Sequence, residues 1–186
     1  QSVLDMYGPQ ATQVGKYAYN CLLARRLAER GVRFIQLYHR GWDAHGNAPK
    51  GVAAQCLDTD QATAALLSDL KQRGMLDSTV VHWGGEMGRL PVIQNDSGTK
   101  NFGRDHNTYG FSMWVAGGGF KQGGTYGVTD EFGHRAIENI VNHYDYHATL
   151  FHLFGLAAET VTYKQNGREQ SLLDGQAGKI IPELLT

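Results

Sequence analysis

Cysteine is nearly missing from this chain, with 2 in 186 residues. Cys21 and Cys56 do not have zinc-motif spacing, and each falls on the apolar face of an expected helix, where cysteine packs as a small hydrophobe. Core packing rather than a disulfide is the expectation, and the pair carries no information on redox compartment. Long apolar runs are missing too. None approaches the roughly 18 residues that cross a bilayer, so no membrane span is expected, and the first residues lack the basic and apolar regions of a signal peptide. Nor is there an excess of either charge. Lys and Arg number 17 and Asp and Glu 18, spread along the sequence, for a formal net charge of −1 and a pI of about 6.8. That balance argues against a nucleic-acid face or a polybasic membrane anchor. There is no Gly-x-Ser-x-Gly elbow, no Cys-x-x-Cys pair and no His-Glu-x-x-His, which leaves serine-hydrolase and zincin readings without support. Gly117-Gly118-Gly119 is not followed by Gly-Lys-Ser/Thr, so it reads as a tight turn and not as a phosphate loop.

What is present is enough length for one domain over residues 1–186, since chains of this size bury roughly 70% of their unfolded surface. The sequence opens on Gln1 in polar residues that lead straight into a helix, so a processed product or a piece of a longer chain is expected. From Gln13 to Arg30, apolar residues including Tyr17, Ala18, Cys21 and Leu22 recur every three or four positions, which predicts an amphipathic helix ended by Gly31. Val32–Tyr38 is a β-rich run of strand length. A second helix is expected from Gly51 to Arg73, capped by Gly74, with Thr79–Trp83 as the strand after it. Strand, crossover helix, strand is a right-handed βαβ unit and implies parallel pairing.

Pro91–Phe102 has the composition of a loop, Phe111–Ala116 gives a third strand, and Lys121–Asp130 a short strand or hairpin. A helix capped at or near Asp145 should run to Gly155. Thr160–Leu173 should form two short strands joined at Asn166-Gly167, and Ile180–Leu185 a last short helix. The expected fold class is therefore α/β, a largely parallel sheet flanked by helices with a small C-terminal β-hairpin.

Four short segments place carboxylates and imidazoles after apolar runs or beside glycine: Gly41-Trp42-Asp43-Ala44-His45, Gly84-Gly85-Glu86-Met87-Gly88-Arg89, Gly103-Arg104-Asp105-His106 and Asp145-Tyr146-His147-Ala148-Thr149. In open α/β sheets ligands bind where strand ends gather, so these segments are expected to converge on a metal site of oxygen and nitrogen donors. Asp43 and His45 can reach one ion if their loop curls around it; a solvated turn is the alternative. Glu86 stands at a strand end among glycines, where it could instead pair with Arg89. Asp105-His106 offers a ligand and an orienting neighbour, and Arg104 beside it a planar guanidinium suited to carboxylate, phosphate or sulfate. A surface salt-bridge cluster would use the same residues. His147 could equally cap a helix or join the core, and His39, His82, His134 and His152 read as structural.

Taken together, Leu22–Leu27 with Gly31–Phe34, Trp42–Gly46, Asp69–Gly74, Gly85–Arg89, Gly103–His106, Ala116–Gly119, Thr129–Glu131 and Asp145–Thr149 resemble a large bacterial sulfatase-like family of unknown function within the alkaline phosphatase superfamily, over essentially the whole chain. The resemblance implies an alkaline phosphatase-like fold and a metal-dependent hydrolase of phosphate or sulfate esters, acting on a small anionic ester or a sulfated glycan. It places Glu86 where an aspartate binds metal and Met87 where a histidine does. A thioether is a poor ligand for a hard metal, so one ligand of a two-metal site is expected to be absent. It also implies that a preceding stretch with the nucleophile is missing, that this is the C-terminal portion of a longer protein, and a periplasmic or secreted location.

The candidate metal ligands are thus Asp43, His45, Glu86 and His106, with His147 in support or at a second ion. Arg89 or Arg104 would neutralise the ester, Asp105 would orient a ligand or, like His147, serve a second ion, and zinc or manganese is expected rather than calcium. Two other functions compete: a non-catalytic binding or scaffold domain that keeps the fold, and a carbohydrate-binding module that stacks sugars on Trp42, Trp83 or Tyr109.

Overall fold

The computed structural model describes residues 2–94 and 101–186, so part of the expected Pro91–Phe102 loop lies outside the described residues. Three helices build the first half: α1 (Val3–Tyr7), α2 (Tyr17–Glu29) and α3 (Ala48–Gln72). Ser2 caps α1 by accepting from the Asp5 N–H while the Asp5 carboxylate accepts from Ser2 N–H, a closed capping box. Pro49 suits the first turn of α3, where no backbone donor is needed. The expected periodicity is used as read, since Ala18, Cys21 and Leu22 of α2 pack on Ala62 and Ala65 of α3, with Tyr7 and Ala11 closing the cluster. No helix among the described residues is long and apolar enough to cross a membrane.

Cys21 is fully buried in that cluster, Cys56 is half-buried, and both are free thiols. Burial pushes the Cys21 thiol up to about 11, outweighing an opposing hydrogen bond with Tyr17. Because the thiolate is the reactive form, Cys21 should resist an aromatic disulfide reagent at pH 8 until the chain unfolds, so that its modification rate tracks urea concentration. Fast native-state labelling of Cys21 would contradict this packing.

A buried ionic network ties the three helices together. Asp69 of α3 accepts from Arg25 Nε at 2.7 Å, Arg73 Nε at 2.6 Å and the Tyr7 hydroxyl at 3.1 Å. Glu29 accepts from Nη1 of Arg25 and Nη1 of Arg73 at 2.6 and 2.8 Å. Burial opposes ionisation of Asp69, but the hydrogen bonds from Arg73 and Tyr7 and the charge of Arg25 outweigh it and hold its carboxyl below the ordinary range.

The strands depart from expectation. β1 (Val81–Trp83) pairs with β4 (Trp114–Ala116), β2 (Gly88–Arg89) with β3 (His106–Asn107), β5 (Val128–Thr129) with β6 (Ala136–Glu138), and β7 (Thr162–Gln165) with β8 (Arg168–Ser171). All four pairs are antiparallel. The largely parallel, alkaline phosphatase-like sheet is therefore not the fold: among the described residues there are only two-stranded sheets and no βαβ unit. The reason lies in Val32–Tyr38, which forms no ladder. Its alternation is real, with Leu37 turned onto the α-helical core and His39 set edge-on against Tyr17, but Phe34 and Tyr38 are 75% and 83% exposed. A period of two is satisfied here by an extended segment lying on helices, without a neighbouring strand.

The second half is held by α4 (His143–Leu153). Asn142, one turn earlier than Asp145, is its N-cap, and Asp145 closes the capping box from the third helical position. Asp145 and Thr149 also accept from the N–H groups of Lys179 and Ile181, which fastens the C-terminal segment to this helix. The β7–β8 hairpin turns at Asn166-Gly167, both at positive φ, as a two-residue type I′ turn requires. The three glycines at 117–119 turn tightly against Leu76–Val80. A Cβ on Gly117 would lie 2.2 Å from the Leu76 carbonyl oxygen, so that position admits no side chain.

Candidate metal centre

Three loops are laced together by backbone hydrogen bonds. The Arg104 N–H donates to the Ala44 carbonyl at 3.1 Å and the Ala48 N–H to Phe102 at 2.9 Å, so the stretch after Trp42 lies along the 101–106 stretch. The Gln94 N–H donates to Gly103 and the Leu90 N–H to Asp105, both at 2.9 Å, which fastens the residues after Arg89 to the other side. The contact depends on Gly103. A Cβ there would sit 1.9 Å from the His45 carbonyl carbon and 2.4 Å from the Gly46 nitrogen, both backbone atoms with nowhere to go. Gly103→Ala should force the loops apart, with a loss of about 1–3 kcal/mol in urea unfolding and weakened metal uptake. Unchanged stability and uptake would show that the close approach does not matter.

This lacing delivers Asp43, His45 and His106 to one point. His45 Nε2 is 2.9 Å from Asp43 Oδ1, His106 Nε2 is 3.1 Å from the same oxygen, and the two imidazole nitrogens are 3.2 Å apart. All three ligand atoms lie within 4.8 Å of one another, and no other group of three such residues among those described does so. Bonds of roughly 2.0–2.1 Å in tetrahedral geometry would separate ligand atoms by about 3.3 Å, close to the spacings seen. The residues can therefore hold a metal ion, with a fourth direction open because the site is solvent-facing.

The partners of the triad prepare it. Arg89, on β2, ion-pairs with Asp43 Oδ1, and also reaches His45 Nε2 at 3.4 Å and the carbonyls of Arg104 and Trp42 at 3.1 and 3.4 Å. Hydrogen bonds from Arg89 and His106 hold the Asp43 carboxyl down to about 2, so it is ionised across the working pH range. Gln94 Oε1 lies 2.7 Å from His45 Nδ1, an acceptor that selects the Nδ1–H tautomer and leaves the Nε2 lone pair for a ligand role. Asp105 Oδ1 accepts the backbone N–H of its neighbour His106 at 2.8 Å and stands 4.0 Å from His45 Nδ1, at the edge of the cluster.

A family model described as Protein of unknown function (DUF1501) matches residues 1–185. The chain belongs to that family. This overturns the sulfatase-like resemblance, because no sulfatase or alkaline phosphatase family model matches. No curated protein and no solved structure matches the chain.

In this DUF1501 chain the structure brings together Asp43, His45, His106, Arg89 and Asp105. It does not bring Glu86 or His147 to them. Glu86 is exposed in the turn between β1 and β2 and makes no ion pair or hydrogen bond among the described residues. His147, on α4, gives its Nδ1–H to the His143 carbonyl at 2.6 Å and lines a separate cavity with His143, Tyr144 and Asp174. Arg104 is exposed, and its backbone reaches the site, while its guanidinium makes no ion pair or hydrogen bond among the described residues. His39 bonds Gln55 and His82 pairs with the Tyr146 hydroxyl, both structural uses. Gln94 was not foreseen; a lone glutamine in a polar loop carries no spacing signal.

Proposed function

We propose that this DUF1501 chain binds a divalent transition metal through Asp43, His45 and His106 and uses it to hydrolyse an anionic phosphate or sulfate ester. The observation that carries the reading is the convergence of two imidazole nitrogens and a carboxylate oxygen, within 4.8 Å of one another, beside the guanidinium of Arg89. Three protein ligands with an open fourth position are the arrangement of catalytic zinc, whereas structural zinc closes all four. Mixed imidazole and carboxylate donors favour zinc or manganese over calcium, which takes oxygen ligands.

In this reading a metal held there would supply Lewis acidity toward a water and the ester. Asp43 and the two histidines hold the ion, and Gln94 keeps His45 in its ligating tautomer. Arg89, which pairs with Asp43 beside the two histidines, would offer its planar fork to the ester's anionic oxygens.

The test is release of nitrophenol from nitrophenyl phosphate and nitrophenyl sulfate by chain stripped of metal and reloaded with zinc or manganese. Metal-dependent turnover that disappears in Asp43→Asn and falls in Arg89→Ala is the expected result. Stoichiometric metal with no turnover of either ester would sink the hydrolase reading and favour a domain that binds metal without catalysis. One observation favours that second reading: Arg89 already neutralises Asp43, so the cluster satisfies its own charges.

A further inference from the structure

We infer that the cleft lined by the chain's three tryptophans binds a pyranose ring, and that the ester presented to the metal centre is therefore a sugar ester. The second half rests on the function proposed above; the first does not. Trp42, Trp83 and Trp114 are all the tryptophans in the sequence, and with Thr63, Asp60 and Leu67 they border one cavity of about 420 Å³. That volume is in the range of small-molecule sites, which are mostly apolar and aromatic with a few polar groups that set orientation.

The rings form a step and a wall. Trp83 and Trp114 face each other across the β1–β4 ladder, parallel within 2° with centroids 6.2 Å apart. Trp42 stands at 90° to Trp83 with centroids 5.8 Å apart. All three are half-buried, so part of each indole meets the cleft. A pyranose has a flat C–H face that packs on an indole and hydroxyls around its edge that need acceptors. Asp60, exposed on α3 at the cleft's rim, supplies two acceptor oxygens and makes no ion pair or hydrogen bond among the described residues. A plain aryl group would use the tryptophans but leave that carboxylate without a purpose. A quaternary ammonium held by rings boxed around one point is the competing ligand.

The cleft also adjoins the metal centre in the chain itself. Trp42 directly precedes Asp43, and the Arg89 guanidinium that pairs with the Asp43 carboxylate also donates to the Trp42 carbonyl. A ring seated against Trp42 is thus held one residue from a proposed metal ligand. Tyr109, though 64% exposed, does not line the cleft and has no part in this.

The experiment titrates metal-stripped and zinc-loaded chain with methyl β-glucoside, methyl β-galactoside and their 6-sulfates, read by indole fluorescence and saturation-transfer NMR. At least one neutral glycoside should bind in both metal states, and binding should weaken at least about tenfold in Trp42→Ala and in Asp60→Ala. Thermal unfolding of Asp60→Ala, an exposed change on a helix, should match the parent chain. The 6-sulfate should gain affinity over its parent only when zinc is bound, and Asp43→Asn should remove that gain while leaving the neutral glycoside bound. No glycoside binding, binding indifferent to both substitutions, or tighter binding of tetramethylammonium or p-cresol would overturn the sugar assignment, whatever the metal does. Glycoside binding with no metal uptake would support the cleft and overturn its link to the ester.

Discussion

Asp69→Ala should lower the free energy of unfolding by about 3–5 kcal/mol, the cost typical of breaking a buried ion pair from one side. The substitution leaves the Nε–H of Arg25, whose side chain is 6% exposed, buried without its acceptor and Glu29 as that arginine's remaining carboxylate, and removes the acceptor of Arg73 Nε and the Tyr7 hydroxyl together. Against a total of roughly 5–15 kcal/mol for a domain, that is a large fraction of the stability. Glu29→Gln, at a side chain 43% exposed, should cost less than about 1 kcal/mol. The same network sets a pH dependence. The folded pKa of Asp69 is depressed, so its contribution is fully present above the unfolded value of about 3.9 and disappears as pH falls through the folded value. Urea midpoints of the parent and Asp69→Asn should therefore converge as pH drops from neutral toward 3. An Asp69→Ala protein as stable as the parent would remove the network from the account of what joins α1, α2 and α3.

His45→Ala and His106→Ala should each weaken zinc binding at least about 100-fold, because even residues that only orient a ligand are worth 10–100-fold. Gln94→Ala, which frees the Nδ1 side of His45, should fall in that lower range. Glu86→Gln and His147→Ala should bind as the parent does, since neither side chain joins the cluster. Competition against a chromogenic chelator measures all five. Ligating imidazoles must be neutral, so uptake should also decline on acidification. Retained affinity in both histidine variants would sink the site, and loss in Glu86→Gln would relocate it.

The helices were legible because their signal is local. A repeat of three and four residues, with Gly31 and Gly74 after the last turns, located α2 and α3 to within a few residues. The Asn166-Gly167 turn was legible for the same reason, since two consecutive residues with positive φ have few sequence solutions. Parallel pairing was not legible. It was inferred from Val32–Tyr38, and alternation reports only that one side of an extended segment is covered, not that a strand covers it.

The site divides along the same line. Asp43, His45, Arg89, Asp105 and His106 were named from short segments rich in donors and glycine, and they do meet. Glu86 and His147 come from segments of the same kind, placed with the others by the expectation of one shared sheet edge, and without that sheet nothing carries them to the triad. The Asp69 network had no local signature, because Arg25 and Asp69 are 44 residues apart and only the packing of α2 on α3 joins them.

The most direct test of the metal centre is X-ray absorption of the chain stripped by chelation, reloaded with zinc and dialysed. The account predicts stoichiometric zinc with a shell of two imidazoles and oxygen ligands at roughly 2.0–2.2 Å, and no sulfur. Zinc that dialyses away, or a bound shell without imidazole scattering, would contradict it.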